Sequence, residues 1–155
     1  MRKKQYEITD SAIIEHILSK SEVCRIAMID NGRPYIVPMN YGYKNKAIYF
    51  HSAHEGKKID LLRANNKVCF EIELYSEIVK NEIPCDWGTK YRSLIGYGTV
   101  EFMTDSDGKK EALDIIMAHY GNRGKSAYKD TSLEKILILQ LKIEEISGKQ
   151  LGNWS

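Results

Sequence analysis

Residues 37–62 read VPMNYGYKNKAIYFHSAHEGKKIDLL: a strand, a turn, a second strand, a short polar loop and a helix. The loop His51-Ser52-Ala53-His54-Glu55-Gly56 runs into Lys57-Lys58 on the first turn of the helix. A helix start carries N–H groups without intrahelical partners and the positive end of the helix dipole, which suits a phosphate. Two lysines, two histidines and a serine at such a point form an anion cradle. The same residues would also serve as a solvated basic turn.

Upstream, Thr9 or Asp10 can cap a helix over about Ser11–Ser19, with Ile13, Ile14, Ile17 and Leu18 on one face. Val23–Ile29 is a β-branched apolar run, and Asp30-Asn31-Gly32 supplies a tight hairpin turn. The return strand, Tyr35 to about Tyr41, contains Pro38, which has no N–H for a ladder. Pro38 therefore marks an edge, a bulge, or a place where a ligand rather than a strand meets the backbone. Tyr43–Lys46 is a second turn and Ala47–His51 a third strand.

Downstream, the helix runs from about Gly56 to Arg63, and Lys67–Tyr75 forms a fourth strand with Val68, Phe70, Ile72 and Leu74 on one face. Residues 76–89 show no clear periodicity and read as an irregular loop, a lid or wall of a site. In the fifth strand, Tyr91–Met103, Gly96 and Gly98 mark a bend or a close backbone approach. A capped helix to about Tyr120, a polar loop over 122–132 and a sixth strand, Ile136–Ile146, complete the pattern. Six hairpin-linked strands with three helices between them predict a mainly β (α+β) domain over residues 1–155, an antiparallel barrel with peripheral helices.

The net charge of +2, from 23 Lys+Arg against 21 Asp+Glu, argues against nucleic acid or an anionic membrane as partner. The basic start Met1-Arg2-Lys3-Lys4 is not followed by an apolar run, so no signal peptide is expected. Cys24, Cys69 and Cys85 are odd in number and widely spaced, which fits a reducing cytoplasm. His51 and His54 stand three apart without a third ligand, HExxH or CxxC, so no metal site is expected. GxGxxG, GxxxxGK[ST] and GxSxG are absent as well, which removes dinucleotide, P-loop and hydrolase readings. The residue types that do converge are Pro38-Met39-Asn40, His51-Ser52 and Lys57-Lys58. They suit a flat aromatic cofactor with a phosphate tail.

The runs GRPYIVPMNYGY (32–43), IYFHSAHEGKKIDLLRANNKVCFEIE (48–73) and YRSLIGYGTVEF (91–102), with their spacing, resemble the nitroimidazole-resistance-like branch of the pyridoxamine 5′-phosphate oxidase superfamily. The resemblance implies a split β-barrel that binds FMN at a homodimer interface. It implies that Val37, Pro38, Met39 and Asn40 meet the flavin ring and that His51 and Ser52 lie along its edge and ribityl chain. Lys57 and Lys58 would bind the phosphate, and Arg92 and Ser93 would reach in from the other subunit. Trp154 is a candidate to cover the ring, with no motif behind it. Val37 and Gly42 stand where the oxidase proper carries an arginine and a lysine-bearing segment for its own substrate, which argues against pyridoxamine phosphate oxidase activity.

The expected function is an FMN-dependent oxidoreductase acting on nitro compounds or another small oxidised substrate, with His51 as the candidate catalytic side chain. The alternative is a flavin or haem carrier or sensor without turnover. Haem enters because relatives in this branch bind it through a histidine, and His51 and His54 are available. An interaction module with an empty cleft is the third reading.

Overall fold

A computed structural model describes residues 4–122, 124 and 126–154. Met1, Arg2 and Lys3 of the basic start lie outside the described residues. After a 3-10 turn the order is β1 (Glu7–Ile8), α1 (Ser11–Lys20), β2 (Cys24–Asp30), β3 (Arg33–Met39), β4 (Gly42–Lys44) and β5 (Ala47–Ser52). Then follow α2 (Lys57–Ala64), β6 (Lys67–Val79), β7 (Gly88–Met103), α3 (Ser106–His119), α4 (Asp130–Leu133) and β8 (Leu137–Leu151).

The strands form one antiparallel sheet in the order β3-β2-β6-β7-β8-β5-β4, with β1 paired to β8. Among the described residues eight strands stand where six are expected. The additional ones, β1 and β4, have two and three residues, too few to show alternation. The sheet curls so that its two end strands, β3 and β4, are joined by only Asn40 and Tyr41, yet no ladder joins them among the described residues. The barrel is split at that seam.

Side chains hold the seam instead. The Tyr120 hydroxyl accepts from the Tyr41 N–H at 3.0 Å and the Asn40 amide at 3.2 Å, and donates to the Glu22 carbonyl at 2.6 Å. The buried Tyr41 hydroxyl donates to the Leu18 carbonyl at 2.7 Å. Beside it, β4 lies so close to α3 that a Cβ on Gly42 would come within 2.6 Å of the Ile116 backbone nitrogen.

Local sequence accounts for the hairpins. Asn31 (φ 49°) and Gly32 (φ 80°) both take the left-handed conformation that a two-residue turn needs, and Asp30 pairs with Arg33 across it. The Asp10 carboxylate caps α1 by accepting from the Ala12 N–H at 2.8 Å. Ile17 and Leu18 on α1, Ile59 and Leu62 on α2, and Ile26, Phe50, Phe70, Ile72, Leu94 and Leu139 on the strands fill the barrel.

The irregular loop expected over 76–89 is shorter: 80–87 remain outside the strands, while 76–79 extend β6 and 88–89 open β7. Glu77 pairs with Lys90 and Val79 with Gly88, so β6 and β7 continue as a two-stranded arm beyond the barrel. Ile78, Val79, Ile83 and Trp87 on this arm are exposed, and a ribbon without a buried face has no alternation to read. β8 likewise continues past Ile146 to Leu151, because Ser147–Leu151 keep pairing with β7. Within the 122–132 segment, read as a polar loop, a short helix α4 forms. No helix among the described residues is long and apolar enough to cross a membrane.

The three thiols differ in environment. Burial, followed by the Glu71 charge, pushes the Cys24 thiol far up, while Cys85 is exposed. A thiol reagent added to native protein is therefore expected to label Cys85 first and Cys24 only after unfolding, as peptide mapping of alkylated protein would show. Early labelling of Cys24 would contradict the packing of β2.

Candidate functional site

Beyond Tyr49, β5 has lost its β4 partner while still pairing with β8, so Phe50, His51 and Ser52 form a free edge. β3, paired only with β2 among the described residues, is the other free edge. The two edges are not neighbouring hairpin strands, as the sequence reading has them; they lie at opposite ends of the sheet path and come together across the split. Pro38 fits this place, because an edge strand tolerates a missing N–H.

The cleft at the split holds about 600 Å³ and is lined by Tyr35 and Val37 of β3, His51 and Ser52 of β5, and Lys57 and Lys58 of α2, together with Ala53, Glu55, Gly56, Lys135 and Ile136. Gly56 enters α2 at φ 121°, a conformation that favours glycine. Its carbonyl accepts from the Ile59 and Asp60 N–H groups at 2.9 and 3.1 Å. No side chain among the described residues caps the helix. The N–H groups of Lys57 and Lys58 thus find no protein partner among the described residues. An uncapped helix start beside lysines is a setting that an anion completes.

The two lysines differ. Lys57 donates to the Asp30 carboxylate at 2.6 Å and lies 4.7 Å from the centre of the Tyr35 ring. Lys58 is half-buried and has no ion-pair partner among the described residues, and desolvation holds its pKa below the ordinary lysine value. His54 is turned away: its Nε2 lies 2.9 Å from the Glu134 carbonyl. A carbonyl only accepts, so that nitrogen carries the proton and donates.

Of the expected site residues, the structure gathers Val37, His51, Ser52, Lys57 and Lys58 in one cleft. Pro38 is exposed on β3, and Met39 packs against the barrel core. The Asn40 amide nitrogen is engaged at the seam with Glu22 and Tyr120. Arg92, Ser93 and Trp154 sit elsewhere in the chain. Arg92 donates to the Gln150 side chain at 3.1 Å and lies 4.0 Å from the centre of the Trp154 ring, which meets Tyr75 edge-on at 5.3 Å. Ser93 pairs with Lys149 and Glu73. Ile138 pairs with His51 but Gln150 with Arg92, which separates the two groups by roughly 40 Å of strand path along β8.

Tyr35, Lys135 and Ile136 were missed by sequence reasoning. Tyr35 alternates with Val37 on the inward face of β3, a signal that was available. Lys135 follows a segment without periodicity, and nothing local marks it.

A wider groove of about 1200 Å³ between α1 and α3 carries none of the expected residues. Several of its polar groups are engaged: Lys44 pairs with Glu111 at 3.3 Å, and the Asp114 carboxylate accepts from the Ser126 N–H and the Tyr128 hydroxyl. None of the expected site residues and no uncapped helix start line it, so size does not make it the site.

Residues 10–150 match the family model for pyridoxamine 5′-phosphate oxidase. A candidate 5-nitroimidazole antibiotic resistance protein from Bacteroides thetaiotaomicron VPI-5482 is 35% identical, covers 92% of this chain and 85% of its own, and superposes with a TM-score of 0.83. The FAD and heme binding protein from Mycobacterium smegmatis shares the fold at 19% identity, over 96% of this chain and 75% of its own, with a TM-score of 0.85. An uncharacterized protein of Rhizobium meliloti (strain 1021) is 34% identical over 56 residues, so the match spans 36% of this chain and 36% of that curated relative.

Proposed function

Since the chain belongs to the pyridoxamine 5′-phosphate oxidase family, within the FMN-binding split-barrel superfamily and beside a relative of the nitroimidazole-resistance type, we propose that it binds FMN at the split of the barrel as an oxidoreductase. The substrate class is a nitro compound or another small oxidised molecule. The observation that carries this reading is the uncapped start of α2, opening with Lys58 onto a cleft between two free strand edges.

The cleft fits the group on chemical grounds. The Lys57 and Lys58 N–H groups and the Lys58 ammonium suit a phosphate. Tyr35 and Val37 offer an apolar wall, and the edges of β3 and β5 offer backbone groups to a ring with donors and acceptors on its rim. A bound flavin supplies the redox chemistry, and the protein binds it, orients it and excludes competing reactions. His51, exposed at the end of β5, is the side chain best placed to hold or deliver a proton at the cleft.

The site is completed by a second copy of the chain, which brings Arg92, Ser93 and Trp154 to it. Their separation along β8 from His51 supports this, because one FMN does not bridge that length of strand path. Sedimentation is expected to give twice 17.8 kDa. A monomer that binds FMN tightly would contradict the shared site.

A flavin or haem carrier without turnover needs the same cleft, and kinetics separate the two. Steady-state oxidation of NADH or NADPH with a nitroaromatic acceptor is expected to require FMN and to disappear in the apoprotein. A flavin-loaded protein that turns over neither donor would favour the carrier.

A further inference from the structure

A third lysine reaches the cleft from a part of the chain remote in sequence. Lys135, between α4 and β8, lines the same space as Lys57 and Lys58. Its segment is tied down on both sides. The buried Lys109 of α3 donates to the Leu133 carbonyl at 3.0 Å and the Ile136 carbonyl at 2.8 Å, and His54 donates to the Glu134 carbonyl at 2.9 Å. These bonds fix the backbone that carries Lys135 against the loop preceding α2.

Charge gives this lysine its weight. Lys57 is taken up by Asp30, which also lies 3.9 Å from Arg33, and Glu55 lines the cleft along with Lys58. With Lys57 so engaged, Glu55 is the carboxylate of the lining that stands against Lys58 and Lys135. Lys135 has no ion-pair partner among the described residues, and it adds a positive charge to the cleft that no ion pair there neutralises.

We propose that Lys135 is a phosphate-binding residue of the FMN site, acting with Lys58, while Lys57 is held back by Asp30. The inference rests on the FMN reading given above. A dianionic phosphate recruits charge that is fixed in place and not already neutralised, which describes Lys58 and Lys135 better than Lys57.

Titration of the apoprotein with FMN and with riboflavin, followed by flavin fluorescence, tests it, because riboflavin lacks only the phosphate. Lys135→Ala is expected to weaken FMN binding by about tenfold, the scale of one charge-assisted contact. Riboflavin binding should stay within about twofold over the same variants. Lys135→Arg should recover most of the FMN affinity, and Lys57→Ala should cost less than Lys58→Ala. Unchanged FMN affinity in Lys135→Ala, alongside a loss in Lys58→Ala, overturns the role of Lys135 and leaves the cradle standing. An equal loss for both flavins makes Lys135 a wall residue and overturns the phosphate assignment. Wild-type protein that binds FMN no better than riboflavin overturns the cradle itself, and Lys135 with it.

Discussion

Replacing Lys57 and Lys58 together with alanine is expected to weaken FMN binding by on the order of 100-fold while leaving riboflavin binding nearly unchanged. Hydrogen bonds to charged groups contribute about 1.5–3 kcal/mol each. Lys57 is partly solvated and already paired with Asp30, so its share is discounted. About 3 kcal/mol for the pair corresponds to roughly two orders of magnitude in Kd. Most of the loss should appear in Lys58→Ala alone.

The pH profile follows from the same groups. A phosphate monoester takes up its second proton with a pKa of about 6, so affinity falls as the pH drops through that value. On the alkaline side it falls as Lys58 loses its proton, at lower pH than an ordinary lysine because desolvation lowers its pKa. An FMN affinity indifferent to both lysines would remove the phosphate from the start of α2.

The second large effect is on stability. Phe50→Ala is expected to cost about 3–5 kcal/mol, the range for emptying a well-packed aromatic site. For a chain of this size that lowers Tm by roughly 6–20 °C. Phe50 is fully buried, and its ring centre lies 6.4 Å from that of Tyr41 at the seam. It also sits where β5 has lost its β4 partner, so it packs the root of the edge that carries His51 and Ser52. Phe50→Leu keeps much of the volume and should cost less than about 1.5 kcal/mol. Urea denaturation measures both, and a loss below about 1 kcal/mol in Phe50→Ala would contradict the packing described.

Legibility in the sequence followed the range of the interaction. The hairpin at Asn31-Gly32 depends on two adjacent residues that accept positive φ, and it was readable from them. Gly96 and Gly98 were readable as close approaches, and the structure shows what approaches. A Cβ on Gly96 would collide with the Phe70 ring, and one on Gly98 with the Lys142 carbonyl. Val68, Phe70 and Ile72 alternate because one face of β6 is buried. Past Tyr75 the arm buries neither face consistently, so its strands left no pattern.

The cleft itself was only half legible. His51 and Ser52 at the end of one strand and Lys57 and Lys58 at the start of the next helix are close in sequence, so their convergence could be argued locally. The pairing of β5 with β8 rather than β3 depends on the closing of the whole sheet, and no short window carries it. Asp30, which neutralises Lys57, and Lys135 arrive from distant segments for the same reason. Lys109 did leave a trace: it occupies the stripe of Ala112 and Ile116 on α3, and a lysine on an apolar stripe signals a buried amine with backbone partners.

The visible absorption spectrum of the purified protein, before and after adding FMN, tests the central claim most directly. The account predicts the two-banded spectrum of a bound flavin, present on isolation or acquired in proportion to added FMN. A colourless protein that leaves added FMN free in solution would contradict it, and a strong Soret band would transfer the site to haem.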